Sequence, residues 1–197
     1  QPILNLGFTV STTCGVSLNQ DVAFSCPIVS DDPTITGITW SLAGATSCTW
    51  VSINAATGVI TGTPTDNQVG TCQVTVAAST TQRQALPYSF NVQVNNVAPT
   101  LTVTNAASIL EDAAASIIRS AAAVQASEEG FGTYSFDNVN TTLPRCFDNM
   151  SVLSIDPNTG AITYAPSADY YGTCNIRVQF DDGNGVANSI VTSEFSI

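Results

Sequence analysis

The chain has no lysine and no histidine, and only 10% of its 197 residues are charged. An ordinary soluble domain carries about a quarter. Without histidine, no Ser-His or Cys-His nucleophile pair can be built. A His-ligated zinc or haem site is excluded for the same reason. Arg83, Arg119, Arg145 and Arg177 face 15 acidic residues, leaving a net charge of −11. Such a surface repels phosphate backbones and anionic lipid, so nucleic acid is not an expected partner. No apolar run is long enough to cross a bilayer, and this segment is not expected to insert into a membrane. The first ten residues lack a basic region followed by an apolar core, so Gln1 does not read as the start of a signal peptide. The expectation is a mature or excised piece of something longer.

What the chain does contain is a repeat. Val51–Val76 and Leu153–Val178 align without a gap, offset by 102, and share 11 identical residues in 26 positions. A repeat of this kind predicts two tandem domains of about 100 residues each. The boundary falls at Asn95-Asn96-Val97-Ala98-Pro99, where Pro99 cannot continue a ladder. The domains are therefore expected at 1–96 and 97–197.

Six cysteines in a Ser/Thr-rich, lysine-free chain point to an oxidising compartment. None falls in a Cys-x-x-Cys pair. Cys72 and Cys174 occupy the same position in the two copies, and each follows one unmatched cysteine, Cys48 or Cys146. The expected pairs are Cys48 with Cys72 and Cys146 with Cys174, which leaves Cys14 with Cys26. Closing loops of this size stabilises by roughly 3 kcal/mol each in the chain-entropy model.

Short β-rich segments separated by Gly, Pro, Asn, Asp and Ser recur at sandwich-like spacing. They lie at 7–10, 16–24, 38–42, 59–62, 72–77 and 88–94, then at 101–103, 133–136, 161–164, 174–180 and 190–195. Residues 110–126 conflict with this pattern, because their alanines favour helix. Their place in the repeat is that of a second strand, so they are expected to be mostly strand, with a helical turn around Arg119–Val124. The shared motif Asn/Asp-x-x-Thr-Gly-x-Ile-Thr predicts a turn in which Gly58 or Gly160 takes positive φ, after which Ile60 or Ile162 enters a core-facing strand. Each copy also places an acidic pair before its third strand, Asp31-Asp32 and Glu128-Glu129.

Several of these motifs have a common resemblance. The turn at 153–163, the following Tyr170-Tyr171-Gly172-Thr173, the acidic loop Asp181-Asp182-Gly183-Asn184-Gly185 and the opening Ile109-Leu110-Glu111-Asp112 resemble bacterial cadherin-like and putative-Ig repeats of large surface proteins. The linker at 95–99 resembles a cadherin inter-domain linker whose acidic positions are replaced. The resemblance covers nearly the whole chain. It implies an all-β fold of two tandem Greek-key seven-strand sandwiches, Ig-like or cadherin-like, used as spacers or adhesive units and often stabilised by calcium. The disulfides depart from that pattern.

Calcium takes six to eight oxygen ligands. In a seven-strand sandwich the loop between strands two and three shares an end with the loop between strands six and seven. Glu128 and Glu129 in the first, Asp181, Asp182 and Asn184 in the second, and Asn95 and Asn96 in the linker are therefore the candidate calcium ligands. The same acidic loop also reads as a plain hairpin turn. In the first copy Ser79 and Thr80 replace the Asp181-Asp182 pair, so Asp31 and Asp32 have no acidic partner loop.

Trp40 and Trp50 read either as a sugar-stacking platform or as core packing beside a disulfide. Of Tyr170 and Tyr171, one is expected in the core and one exposed. Asn140 and Asn149 begin Asn-x-Ser/Thr patterns. Carboxylates suffice for a glycosidase pair, but no catalytic scaffold is recognisable, and an enzyme is not expected. The expected role is a secreted or cell-surface segment of an adhesin or fibre, a spacer that binds a protein or glycan on a cell surface and continues into further domains of the same parent chain. The alternative is a non-catalytic carbohydrate-binding accessory module of a larger secreted enzyme.

Overall fold

The computed structural model describes residues 7–14, 17–104, 108–110, 112–124, 132–137, 152–166, 168–169 and 171–197. The chain divides into two compact units, Gln1–Asn96 and Val97–Ile197. The described residues are strand and loop, with a single 3-10 turn at Asp66–Gln68.

The first unit contains β1 (Val10–Ser11), β2 (Ser17–Asn19), β3 (Phe24–Pro27), β4 (Val29–Ser30), β5 (Thr39–Leu42), β6 (Val51–Ile53), β7 (Val59–Gly62), β8 (Gly70–Ser79) and β9 (Tyr88–Asn95). One sheet runs β2-β9-β8-β5, another β3-β7-β6, and β1 pairs with β4. All these pairings are antiparallel except β2 with β9. Side chains alternate across each strand, so Val74, Val76 and Ala78 of β8 and Val92 and Val94 of β9 all turn inward. Val74, Val76, Ala78 and Val92 meet Phe8, Phe24, Cys26, Trp40, Val51 and Ile60 in one core.

The sequence predicts a single strand over 16–24, and here the structure corrects it. The backbone turns at Gln20–Val22, with Asp21 at φ 60°. Gln20 N donates to Asn95 O at 3.1 Å and Asp21 N to Pro64 O at 2.7 Å. Gln20 is 2% exposed, and its amide donates to the buried Asp66 carboxylate at 3.3 Å. These bonds carry the chain from the sheet containing β2 to the sheet containing β3. The apolar alternation of Val16 and Leu18 resumes in the same phase at Val22 and Phe24, which is why periodicity does not reveal the crossing.

The second unit contains β10 (Thr100–Val103), β11 (Ser116–Val124), β12 (Thr133–Phe136), β13 (Val152–Ile155), β14 (Ala161–Ala165), β15 (Asn175–Asp181) and β16 (Ile190–Ser196). Its sheets run β10-β11-β14-β13 and β12-β15-β16, all antiparallel. Ala121, Ile162, Ile176, Val178 and Phe195 form its described core. No helical turn forms at Arg119–Val124. Those residues are strand, laddered to β10 on one side and, through Arg119 and Ser120, to β14 on the other, with a register shift between Ile117 and Arg119. The ladder bonds outweigh an alanine preference worth only tenths of a kcal/mol per residue.

The shared turn joins β6 to β7 and β13 to β14. Asn54 Oδ1 accepts the N–H groups of Ala56 and Thr57 at 2.9 and 3.1 Å. Asp156 Oδ1 accepts those of Asn158 and Thr159 at 2.8 and 2.9 Å. Gly58 sits at φ 71° and Gly160 at φ 67°. A Cβ on Gly58 would lie 2.9 Å from Ile28 O and from the Trp40 ring, and one on Gly160 2.5 Å from Ala121 O. The turn is thus closed by glycine for two reasons, its left-handed backbone and its close approach to the neighbouring strand. Ile60 and Ile162 follow, both fully buried, each contributing about 2–3 kcal/mol of burial.

Candidate functional site

β15 ends at Asp181 and β16 begins at Ile190, and the acidic loop lies between them. Asp181 is half-buried and Asp182 is 2% exposed. Gly183 N donates to Asp181 Oδ1 at 2.9 Å, and Asn184 N to Asp182 Oδ1 at 3.0 Å. Ser189, 1% exposed, closes the base: Asp182 N donates to Ser189 O, and Ser189 N to Val186 O, both at 3.0 Å. Gly183 and Gly185 take φ 85° and 67°. The plain-turn chemistry expected of Asp-Gly and Asn-Gly is therefore present. Each Asp carboxylate has one oxygen holding a loop N–H.

The other candidate calcium ligands are placed differently. Asn95 closes β9, and its amide donates to Ser17 Oγ at 3.1 Å and Asn19 Oδ1 at 3.3 Å within the first unit. Asn96 is half-buried at that unit's last position. Glu128 and Glu129 lie outside the described residues. Among the described residues, no three His, Cys, Asp or Glu side chains gather as a metal site. Two carboxylates and one amide from the acidic loop fall short of calcium's six to eight oxygens, so the described part of the ligand set does not by itself make a calcium centre.

At the corresponding end of the first unit, Asp31 accepts the hydroxyls of Ser11 at 2.6 Å and Thr9 at 2.7 Å. These bonds hold its carboxyl below the ordinary value. Asp32 is lowered chiefly by the Thr34 hydroxyl at 2.6 Å and its N–H at 2.9 Å, with a small contribution from Arg83. Thr80, at the position of Asp182, donates its N–H to Arg83 O at 2.8 Å and shapes a tight turn.

Each unit also has a groove, beside the start of β8 in the first and of β15 in the second. In the second unit Ser108, Leu110, Tyr164, Pro166, Tyr171 and Ile197 line a cavity of about 350 Å³. Leu110 is 82% exposed and Tyr171 88%. Tyr171 is thus exposed, and Tyr170 lies outside the described residues. In the first unit Cys48, Trp50, Asn67, Gln68, Thr71 and Cys72 line a cavity of about 230 Å³. Trp50 is half-buried, edge-on to Phe24 at 5.6 Å, with its indole N–H buried and unpartnered. Trp40 is a core residue, 5% exposed, and offers no stacking face to a sugar. The sequence reading did not single out Leu110 as lining a groove. Its only signal was a large apolar side chain beside the acidic pair Glu111-Asp112.

Two of the three expected disulfides are described, Cys14–Cys26 and Cys48–Cys72. Cys174 is disulfide-bonded, and its expected partner Cys146 lies outside the described residues, as do Asn140 and Asn149.

Comparison with known proteins now adds a family. Residues 7–95 match the family described as "Putative Ig domain". The matched segment, residues 7–95, is Ig-like. Cadherin extracellular domains are among the solved structures similar in fold. Protocadherin gamma B2 domains 3–6 match with TM-score 0.42 and 16% identity, over 96% of this chain and 51% of that one. Human protocadherin-24 domains 1–2 match with TM-score 0.39 and 20% identity, over 92% and 91%. A SusE-like surface-located polysaccharide-binding protein from Bacteroides thetaiotaomicron matches with TM-score 0.34 and 11% identity, over 100% and 33%. The chain spans about half the length of the first of these. No curated protein matches it. The disulfides accord with an oxidising, extracellular setting. No helix among the described residues is long and apolar enough to cross a membrane.

Proposed function

We propose that the chain is a two-domain segment of a secreted or cell-surface adhesin or fibre, serving as a spacer and as a protein- or glycan-binding module. The observation that supports this most directly is the self-sufficient first unit: an Ig-like domain with its own core and two disulfides. Such a unit works by holding its shape and presenting loops, because its rigid sheets position exposed connections for recognition. Beads coated with the chain are expected to be retained on intact cells and on surfaces bearing cell-surface proteins or neutral glycans. Absence of retention on all of these would remove the binding half of the proposal.

The groove flanked by Tyr171 and Leu110 favours a second reading, a carbohydrate-binding accessory module of a larger secreted enzyme. An exposed aromatic face stacks on sugar rings, and the groove contains no charged side chain, which suits a neutral glycan. Under this reading Tyr171→Ala abolishes pull-down on an insoluble polysaccharide that the unsubstituted chain binds. Equal pull-down by both would refute it.

Calcium belongs to the same proposal. Asp181, Asp182 and Asn184 would contribute oxygens. Occupancy at 100 times the dissociation constant would stabilise by about 2.7 kcal/mol. The melting temperature is then higher in excess calcium than in chelator, and identical melts would retire the ion.

A further inference from the structure

We propose that Asn184 is a site of spontaneous deamidation that adds a third carboxylate to the loop after β15. Asn184-Gly185 is the single Asn-Gly dipeptide in the 197 residues. In this reaction the backbone nitrogen of the following residue attacks the asparagine side-chain carbonyl carbon. The Cγ–Nδ2 bond breaks, ammonia leaves, and a five-membered succinimide closes. Water then opens the ring at either carbonyl, giving aspartate or isoaspartate. A side chain on the attacking residue crowds the ring closure, and glycine has none.

The structure leaves this nitrogen unobstructed. Gly185 is exposed, at φ 67°, with open space around the position a Cβ would take. Its N–H donates no hydrogen bond among the described residues. Neighbouring asparagines are held otherwise. Asn188 precedes Ser189, whose N–H is bonded to Val186 O at 3.0 Å and which is 1% exposed. Asn158 precedes Thr159, whose N–H is bonded to Asp156 Oδ1 at 2.9 Å. In both cases the attacking nitrogen is committed to the fold, and the side chain on that residue adds crowding.

The product places a new negative charge within three residues of Asp181 and Asp182, in a loop with no lysine or arginine. Isoaspartate also lengthens the turn backbone between β15 and β16 by one atom. The inference stands apart from the calcium reading, since it concerns the loop's covalent state and not its occupancy.

The test is to age the 197-residue chain in mildly alkaline buffer, then separate it by ion exchange and map it by peptide mass spectrometry. One more-acidic species is expected, with the mass gain of NH exchanged for O confined to the peptide holding Asn184, as a mixture of aspartate and isoaspartate. Gly185→Ala is expected to suppress it. Asn184→Gln, which keeps Gly185 and its left-handed backbone, is expected to suppress it equally, and Asn184→Asp should elute at the acidic position from the outset. A gain located chiefly at Asn188 or another asparagine, no acidic species, or unaltered ageing of Asn184→Gln would overturn the proposal.

Discussion

The two units keep the same turn and differ in charge. Gln1–Asn96 hold Asp21, Asp31, Asp32 and Asp66 against Arg83, whereas Val97–Ile197 hold the other 11 of the 15 acidic residues and three of the four arginines. Asn54 in one copy and Asp156 in the other accept the same pair of N–H groups at nearly the same distances. Trp40 packs over Gly58 and Tyr134 over Gly160. Trp40 N donates to Ala55 O at 3.0 Å, and Tyr134 N to Pro157 O at 2.9 Å. The difference teaches what the duplication had to preserve. The acceptor oxygen, the glycine and the aromatic above it are fixed by the shape of the turn, and the net charge around them is not.

Arg177 illustrates how the more acidic unit manages its charge. Its Nε donates to Glu194 Oε1 at 2.7 Å, and Nη1 lies 3.3 Å from Asp137 Oδ2. The two carboxylates raise its pKa, Glu194 most. The half-buried Arg177 thus bridges Glu194 of β16 and Asp137, the residue after β12.

The comparison breaks most severely at the aromatic above the turn. Trp40→Ala empties a buried site and is expected to cost about 3–5 kcal/mol, whereas Tyr134→Ala, at a half-buried position, is expected to cost about 2 kcal/mol. Denaturant titration of each variant checks the ranking, and equal costs would mean that the two turns are supported alike. Next in size is the staple. Replacing Cys48 and Cys72 together by serine opens a loop of sequence separation 24 and is expected to cost about 3 kcal/mol in the chain-entropy model. Both tryptophans lie in the first unit, so the midpoint read by tryptophan fluorescence should shift with that pair. An unchanged midpoint would show that the unit holds without the Cys48–Cys72 staple.

Asn54→Ala removes two turn acceptor bonds and is expected to lower the stability read from the same transition by about 1 kcal/mol. The smallest effect is one of pH. The N–H groups of Thr159 and Asn158 hold the Asp156 carboxyl below its ordinary value of 3.8. A carboxyl whose folded pKa is depressed adds stability above its unfolded pKa and loses it as pH falls through the folded value. Acidification below about pH 3.8 should therefore weaken the Asp156 turn and leave the Asn54 turn unaffected. Asp156→Asn is expected to flatten that acid limb in a melt monitored by circular dichroism, and an unchanged limb would assign it to other carboxylates.

Much of this was legible in the residues, because its causes are local. An Asn or Asp acceptor, a glycine in left-handed backbone and an isoleucine two residues later specify a turn and the strand after it, wherever the chain places them. The alignment of the two copies assigned Cys48 to Cys72 and, by remainder, Cys14 to Cys26. Other features depend on groups far apart in sequence. Only the ladders to β10 and β14 decide that 116–124 is strand against its alanines. Only bonds to Pro64, Asp66 and Asn95 end β2 at Asn19 and carry the chain to the other sheet. Asp181 and Asp182 were visible as an acidic pair, but the burial of Asp182 and its bond to Asn184 belong to the closed loop. A local pattern sets what a segment can do, and the hydrogen bonds and burial that choose among those options come from partners the local pattern does not contain.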